Sequence, residues 1–109
     1  MVDDKCPLVI TLARENRSSD LLEILKQGSN INEADPRNGK TAVMEAAQWG
    51  RVEPCRVLLK GGARLHPKDL NGETALHHAA RNGDADICKM LLAAGALSED
   101  CNKRGETPL

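Results

Sequence analysis

One stretch of this chain is written again 33 residues later, and that repetition limits what the chain can fold into. Gly39-Lys40-Thr41-Ala42-Val43-Met44-Glu45-Ala46-Ala47-Gln48-Trp49-Gly50 returns as Gly72-Glu73-Thr74-Ala75-Leu76-His77-His78-Ala79-Ala80-Arg81-Asn82-Gly83. A further copy opens at Gly105-Glu106-Thr107-Pro108-Leu109. The later halves align as well: Cys55 with Cys88, Leu58-Leu59 with Leu91-Leu92, Gly62-Ala63 with Gly95-Ala96. A unit this short cannot bury its own apolar face, so it must stack on its neighbours. The repetition predicts a solenoid.

Each repeat reads as a turn and two short helices. Asp69-Leu70-Asn71-Gly72 is turn chemistry, with glycine free to take positive φ. Thr74 can cap the helix through Ala75–Ala80, and the paired alanines let a neighbouring helix approach closely. Gly83 ends that helix in the left-handed conformation, and a second helix runs through Asp86–Leu92 to Gly95. In the preceding repeat Pro54 falls in the first turn of the second helix, where its missing N–H does no harm. The first repeat is offset by 34, because the turn Asp35-Pro36-Arg37-Asn38-Gly39 is one residue longer than its later counterpart. Its phases still match: Ala13 with Ala47, Leu25 with Leu59, Gly28 with Gly62, and Asn16 with Gly50. Asparagine is a sensible substitute there because it tolerates the left-handed region. Ser18-Ser19-Asp20 offers caps for the helix that follows.

The period, the Gly-x-Thr-Ala-Leu-His-x-Ala-Ala-x-x-Gly run and the closing Leu-Leu-x-x-Gly-Ala resemble ankyrin repeats over nearly the whole chain. The resemblance implies an all-α solenoid of stacked helix-turn-helix units, with β-hairpin-like turns projecting at right angles and a concave binding surface. Residues 1–109 then form a single domain: repeat one at about 3–34, repeat two at 35–67, repeat three at 68–100, and a partial repeat at 101–109. Four positions depart from the family pattern. Ala42 and Ala75 stand where proline is usual, Met44 where histidine is usual, and Pro7 at the threonine position of repeat one. These changes weaken single hydrogen bonds without threatening the fold.

Composition excludes several alternatives. The net charge is −1 with 28% charged residues, so no general attraction to nucleic acid or anionic lipid is expected. Phe and Tyr are absent and Trp49 is the single tryptophan, so the core must be aliphatic. Equivalent helices in a stack sit about 8–10 Å apart, beyond the roughly 7 Å that a disulfide spans between Cα atoms. The same-phase pair Cys55 and Cys88 therefore reads as reduced, buried and apolar, as expected in the cytoplasm or nucleus. The apolar run Leu8–Ala13 is too short to span a membrane and has the wrong flanks for a signal peptide.

Phases that stay small or apolar in every copy should be core, and phases that change between polar types should face solvent. That test exposes the ends of the first helices, at Arg14, Gln48 and Arg81 and at Glu15, Trp49 and Asn82. It also exposes the turn tips: Arg37, Asn38 and Lys40, then Leu70, Asn71 and Glu73, then Lys103, Arg104 and Glu106. The family resemblance implies that these phases line the partner-binding groove. The candidate partner-binding residues are thus Arg14, Arg37, Lys40, Gln48, Trp49, Leu70, Asn71, Glu73, Arg81 and Asn82. Trp49 stands out, since other repeats are polar there. It either anchors a partner or folds down over the Leu12 region of repeat one. An excess of Lys and Arg over acids in the groove favours an acidic peptide.

No nucleophile–base arrangement, phosphate loop or dinucleotide motif is present, so no enzyme and no cofactor is expected. His77 and His78 are adjacent, point about 100° apart on a helix, and do not readily share a metal. His77 occupies the phase where, by family resemblance, the imidazole hydrogen-bonds the turn backbone. Thr107-Pro108-Leu109 starts a further helix, which leaves the apolar face of repeat three, including Leu92 and Ile87, without a cap. A monomer cut from a longer array is the favoured reading, and a symmetric dimer through the last repeat is the alternative. The expected function is a protein-interaction module. Two alternatives are a recruiting or regulatory segment of a larger enzyme or channel, and recognition of a nucleotide by Trp49 stacking beside Lys40 and Arg81.

Overall fold

Alanine spacing sets the architecture. In a computed structural model, which describes residues 6–98 and 105–107, six helices follow one another. They are α1 (Leu8–Arg14), α2 (Ser18–Lys26), α3 (Ala42–Gln48), α4 (Val52–Lys60), α5 (Ala75–Asn82) and α6 (Ala85–Ala93). No strand occurs among the described residues. Helices α1, α3 and α5 pack side by side as an inner row, and α2, α4 and α6 form an outer row against them. Ala13, Ala46, Ala47 and Ala79 are wholly buried, so the inner helices meet through methyl groups.

Between the rows lie Ile10, Leu21, Met44, Leu58, Leu76, Ile87 and Leu91, all fully buried. Each such side chain contributes about 1.5–3 kcal/mol, and no aromatic ring takes part. Ala46, Ala79 and Leu91 face this interior as the repeat pattern requires. Ile87 does not lie on an open end as the sequence suggests: it is buried under its own repeat, while Leu92 is exposed. Cys55 is buried and reduced, and Cys88 is reduced but only half-buried. Lys103 and Arg104 lie outside the described residues.

The helix ends follow local chemistry. Asn16 is the one described non-glycine residue with positive φ, at 61°, in the phase where Gly50 has 68° and Gly83 has 73°. Asp84 caps α6 by accepting from the Ile87 N–H at 3.1 Å. The expected serine cap of α2 does not form. That helix starts at Ser18 itself, with Arg17 at the cap position and no side-chain cap bond. Arg17 instead reaches forward to Asp20, through Nε to Oδ2 at 2.9 Å.

The turns are hairpin-like without being strands. Asp35 N–H donates to the Lys40 carbonyl at 2.8 Å, and Asp69 N–H to the Glu73 carbonyl at 2.9 Å. Consecutive tips are joined by Leu70 N–H donating to the Asn38 carbonyl at 3.0 Å. Gly39 allows that approach, since a Cβ there would lie 3.1 Å from the Leu70 nitrogen.

Candidate functional site

The third repeat shows how threonine and histidine lock a helix start. Thr74 N–H donates to His77 Nδ1 at 3.1 Å, so Nδ1 carries no proton and Nε2 does. The Thr74 hydroxyl lies 2.9 Å from the same nitrogen and accepts from the His77 N–H at 3.4 Å. Nε2–H then donates to the Glu106 carbonyl of the next turn at 3.0 Å. His77 therefore holds turn backbone, as its phase implies. In repeat two Met44 replaces this histidine, and the buried Thr41 hydroxyl is left with no hydrogen-bond partner.

His78 points elsewhere. Its Nε2–H donates to Asp69 Oδ2 at 2.9 Å and lies 3.9 Å from Glu73 Oε1. Asp69 Oδ1 accepts from the Asn71 and Glu73 N–H groups, both at 2.9 Å. Burial holds the His78 pKa below its ordinary value, against the opposing pull of the Asp69 carboxylate and with help from the charge of Lys40. His78 is therefore a neutral donor that ties the turn to α5. Sequence spacing hides this group, because Asp69 and Glu73 reach His78 across a turn. Their ligand atoms lie within 4.8 Å of one another, but the bonds to backbone, to His78 and to Arg81 occupy them.

Above this floor opens a concave cleft of about 310 Å³. Lys40, Gln48, Asn71, Glu73, Arg81 and Asn82 line it, six of the residues singled out by repeat phase. His78 completes the wall and was missed by that reasoning. Its phase runs Thr11, Glu45, His78, and nothing in the sequence shows that the two later copies are buried. Glu45 is 4% exposed and His78 5%. Both are polar and buried because each finds a local partner.

Glu73 corrects another expectation. It is not a free tip residue but is 3% exposed, gripped in a two-bonded pair by Arg81, whose Nη1 donates to Oε1 at 2.7 Å and whose Nη2 donates to Oε2. Arg37 is similarly committed: it wraps onto Asp35, with Nη2 donating to Oδ2 at 2.7 Å. That guanidinium holds the Asp35 carboxyl below its ordinary pKa against the effect of burial. Arg14 lies 3.9 Å from Glu45. Lys40 differs from these, since its ammonium donates to the neutral amide oxygen of Gln48 at 2.5 Å.

Trp49 follows α3 as its C-cap residue. The residue is 51% exposed. Yet it is not loose: Nε1–H donates to Glu45 Oε1 at 2.9 Å, one helical turn back. The next residue, Gly50, lies beside Asn82, whose Nδ2 would be 3.3 Å from a Cβ there. Leu70 is exposed at the tip of the following turn. Arg14, Arg37, Trp49 and Leu70 do not line the cleft.

No helix among the described residues is long and apolar enough to cross a membrane. A family model described as ankyrin repeats, in three copies, matches residues 8–105. No curated protein matches the chain.

Proposed function

Since this chain belongs to the ankyrin-repeat family, whose domains are typically non-catalytic protein-interaction modules, we propose that a partner peptide or loop lies along the concave side. It packs on Trp49 and sends a side chain into the cleft between Lys40 and Arg81. The observation that carries this reading is the half-exposed Trp49, whose indole is held by its bond to buried Glu45. An anchor fixed before binding loses little side-chain entropy on association, and tryptophan is a frequent hot-spot residue.

The partner residue that fits the cleft is acidic. The bare excess of cations in the groove overstates the pull, because Arg37 and Arg81 are already paired with carboxylates and Arg14 lies near Glu45. Among the described residues Lys40 rests on an amide alone, and it keeps its charge for an incoming Asp or Glu. The proposal places the chain in the cytosol or nucleus, acting as a monomer or as one segment of a longer array.

The test is capture of partners by the intact chain alongside Trp49→Ala and Lys40→Gln variants, followed by titration of whatever is captured. Trp49→Ala should weaken binding by more than about 1 kcal/mol, and Lys40→Gln should chiefly slow association at low salt. Unchanged affinity in both variants, with both folded, overturns the concave reading.

A further inference from the structure

Helices α2, α4 and α6 carry a second surface, separate from the cleft lined by α3, α5 and the turns. Two grooves run beside α4. The one against α2, about 420 Å³, has an apolar floor of Leu22, Leu25 and Val57. The one against α6, about 520 Å³, is floored by Leu59, Met90 and Ala93. Arg56 and Lys60 edge both grooves, and Lys26 stands at the outer edge of the first.

Repeat phase makes the apolar floor unusual. Leu22 shares its phase with Arg56 and Lys89, so a position that is charged in the later copies holds leucine here. That leucine is 44% exposed. The charges around it are unbalanced. Three cations, Lys26, Arg56 and Lys60, meet one acid, Glu53, and Glu53 is already paired with Arg56. Lys26 and Lys60 occupy equivalent phases, each in the last turn of its helix, and both are exposed. A hydrophobic floor with a cationic rim selects its occupant by charge as well as by shape.

We infer that the α2–α4 groove docks an amphipathic helix of a partner protein, with leucine-like side chains on Leu22, Leu25 and Val57 and acidic residues facing Lys26 and Lys60. A neutral or basic helix would gain the same apolar contact but would leave the lysine charges uncompensated or repelled. The outer helices are nine residues long, a length of about 13.5 Å, so the groove accepts between two and three turns of a partner. The inference stands apart from the concave reading, since no residue lines both surfaces.

The probes are two synthetic helices of about 14 residues, one with leucine on one face and glutamate on the other, one with lysine replacing the glutamate. Each is titrated into the isotope-labelled full chain and followed by amide shifts. The acidic helix should give saturable shifts at Leu22, Leu25, Val57 and Gly61. Those shifts should weaken at least about tenfold in a Lys26→Glu, Lys60→Glu variant, as charge reversal at a steering rim requires, and persist in Trp49→Ala. Leu22→Asp, at an exposed site, should abolish them with the helical spectrum retained. Equal response to the lysine helix overturns the inference, as do shifts confined to Gln48, Trp49 and Arg81, or the absence of saturable shifts. A response to phosphatidylserine vesicles with none to the acidic helix also overturns it and makes the face a membrane contact.

Discussion

Thr41 and Thr74 occupy the same phase and the same extended cap conformation, with φ of −97° and −95°, yet they sit in different chemical surroundings. Replacing each with valine keeps shape and β-branching, which suits an extended backbone. At position 74 the hydroxyl belongs to a buried lock: it accepts from the His77 N–H and lies 2.9 Å from His77 Nδ1. Its loss orphans a buried donor and removes a cap, which costs about 1–3 kcal/mol. At position 41 the hydroxyl is buried and unpartnered, so valine removes a polar group already stripped of water. Stability should then rise by about 1 kcal/mol. At about 4–8 °C per kcal/mol for a domain near this size, the two melting temperatures should move in opposite directions. Urea unfolding followed by circular dichroism, at an unchanged m-value, reads both. Introducing Met44→His supplies the missing partner, and Thr41→Val should then become destabilising, with the reversal appearing as a coupling energy in the double-mutant cycle. Equal losses at the two threonines, or no change of sign with Met44→His, would refute the reasoning.

The remaining predictions concern protons, backbone and thiols. His78 has a folded pKa below its ordinary 6.5; below that pH the unfolded chain binds a proton that the folded one does not, so stability should fall as pH drops from 6.5 toward the folded value. His78→Gln should remove that slope in denaturation curves collected between pH 7 and pH 5 (about one histidine's range). Gly39→Ala should destabilise more than Gly28→Ala, because both have positive φ but only the first would press its Cβ on the next turn, 3.1 Å from the Leu70 nitrogen. A difference of about 1 kcal/mol or more in chemical denaturation is expected. Burial pushes the Cys55 thiol up to about 11, so a thiol reagent at neutral pH should modify it only at the rate of global opening. Rapid reaction of Cys55 in the native state would contradict its place in the core.

Much of this was readable from residue order. The 33-residue spacing, the alanine pairs and the glycine phases announce six helices in two rows, because helical period and helix ends are local properties of a chain. Asn16 could be assigned to the left-handed region on the same ground. What escaped notice were residues whose meaning depends on a partner across a turn. Glu73 looked like a variable tip and is instead a buried acid held by Arg81. Glu45 and His78 were not singled out, and each is buried on its own local donor or acceptor.

Repetition alone determined that this chain must stack, since modules too small to cover their own leucines have no other way to leave water. It also marked the phases of Lys40, Gln48, Asn71, Arg81 and Asn82 as variable and solvent-facing, and these residues line one cleft. Only the tertiary arrangement decided which charges remain available there. Pairing is set by distances of a few ångströms across turns, and a carboxylate that arrives in reach of a guanidinium cancels it, whatever the sequence tally of cations suggests. Thus Arg37 and Arg81 are spoken for, Lys40 meets no acid among the described residues, and Trp49 is tied to a buried glutamate.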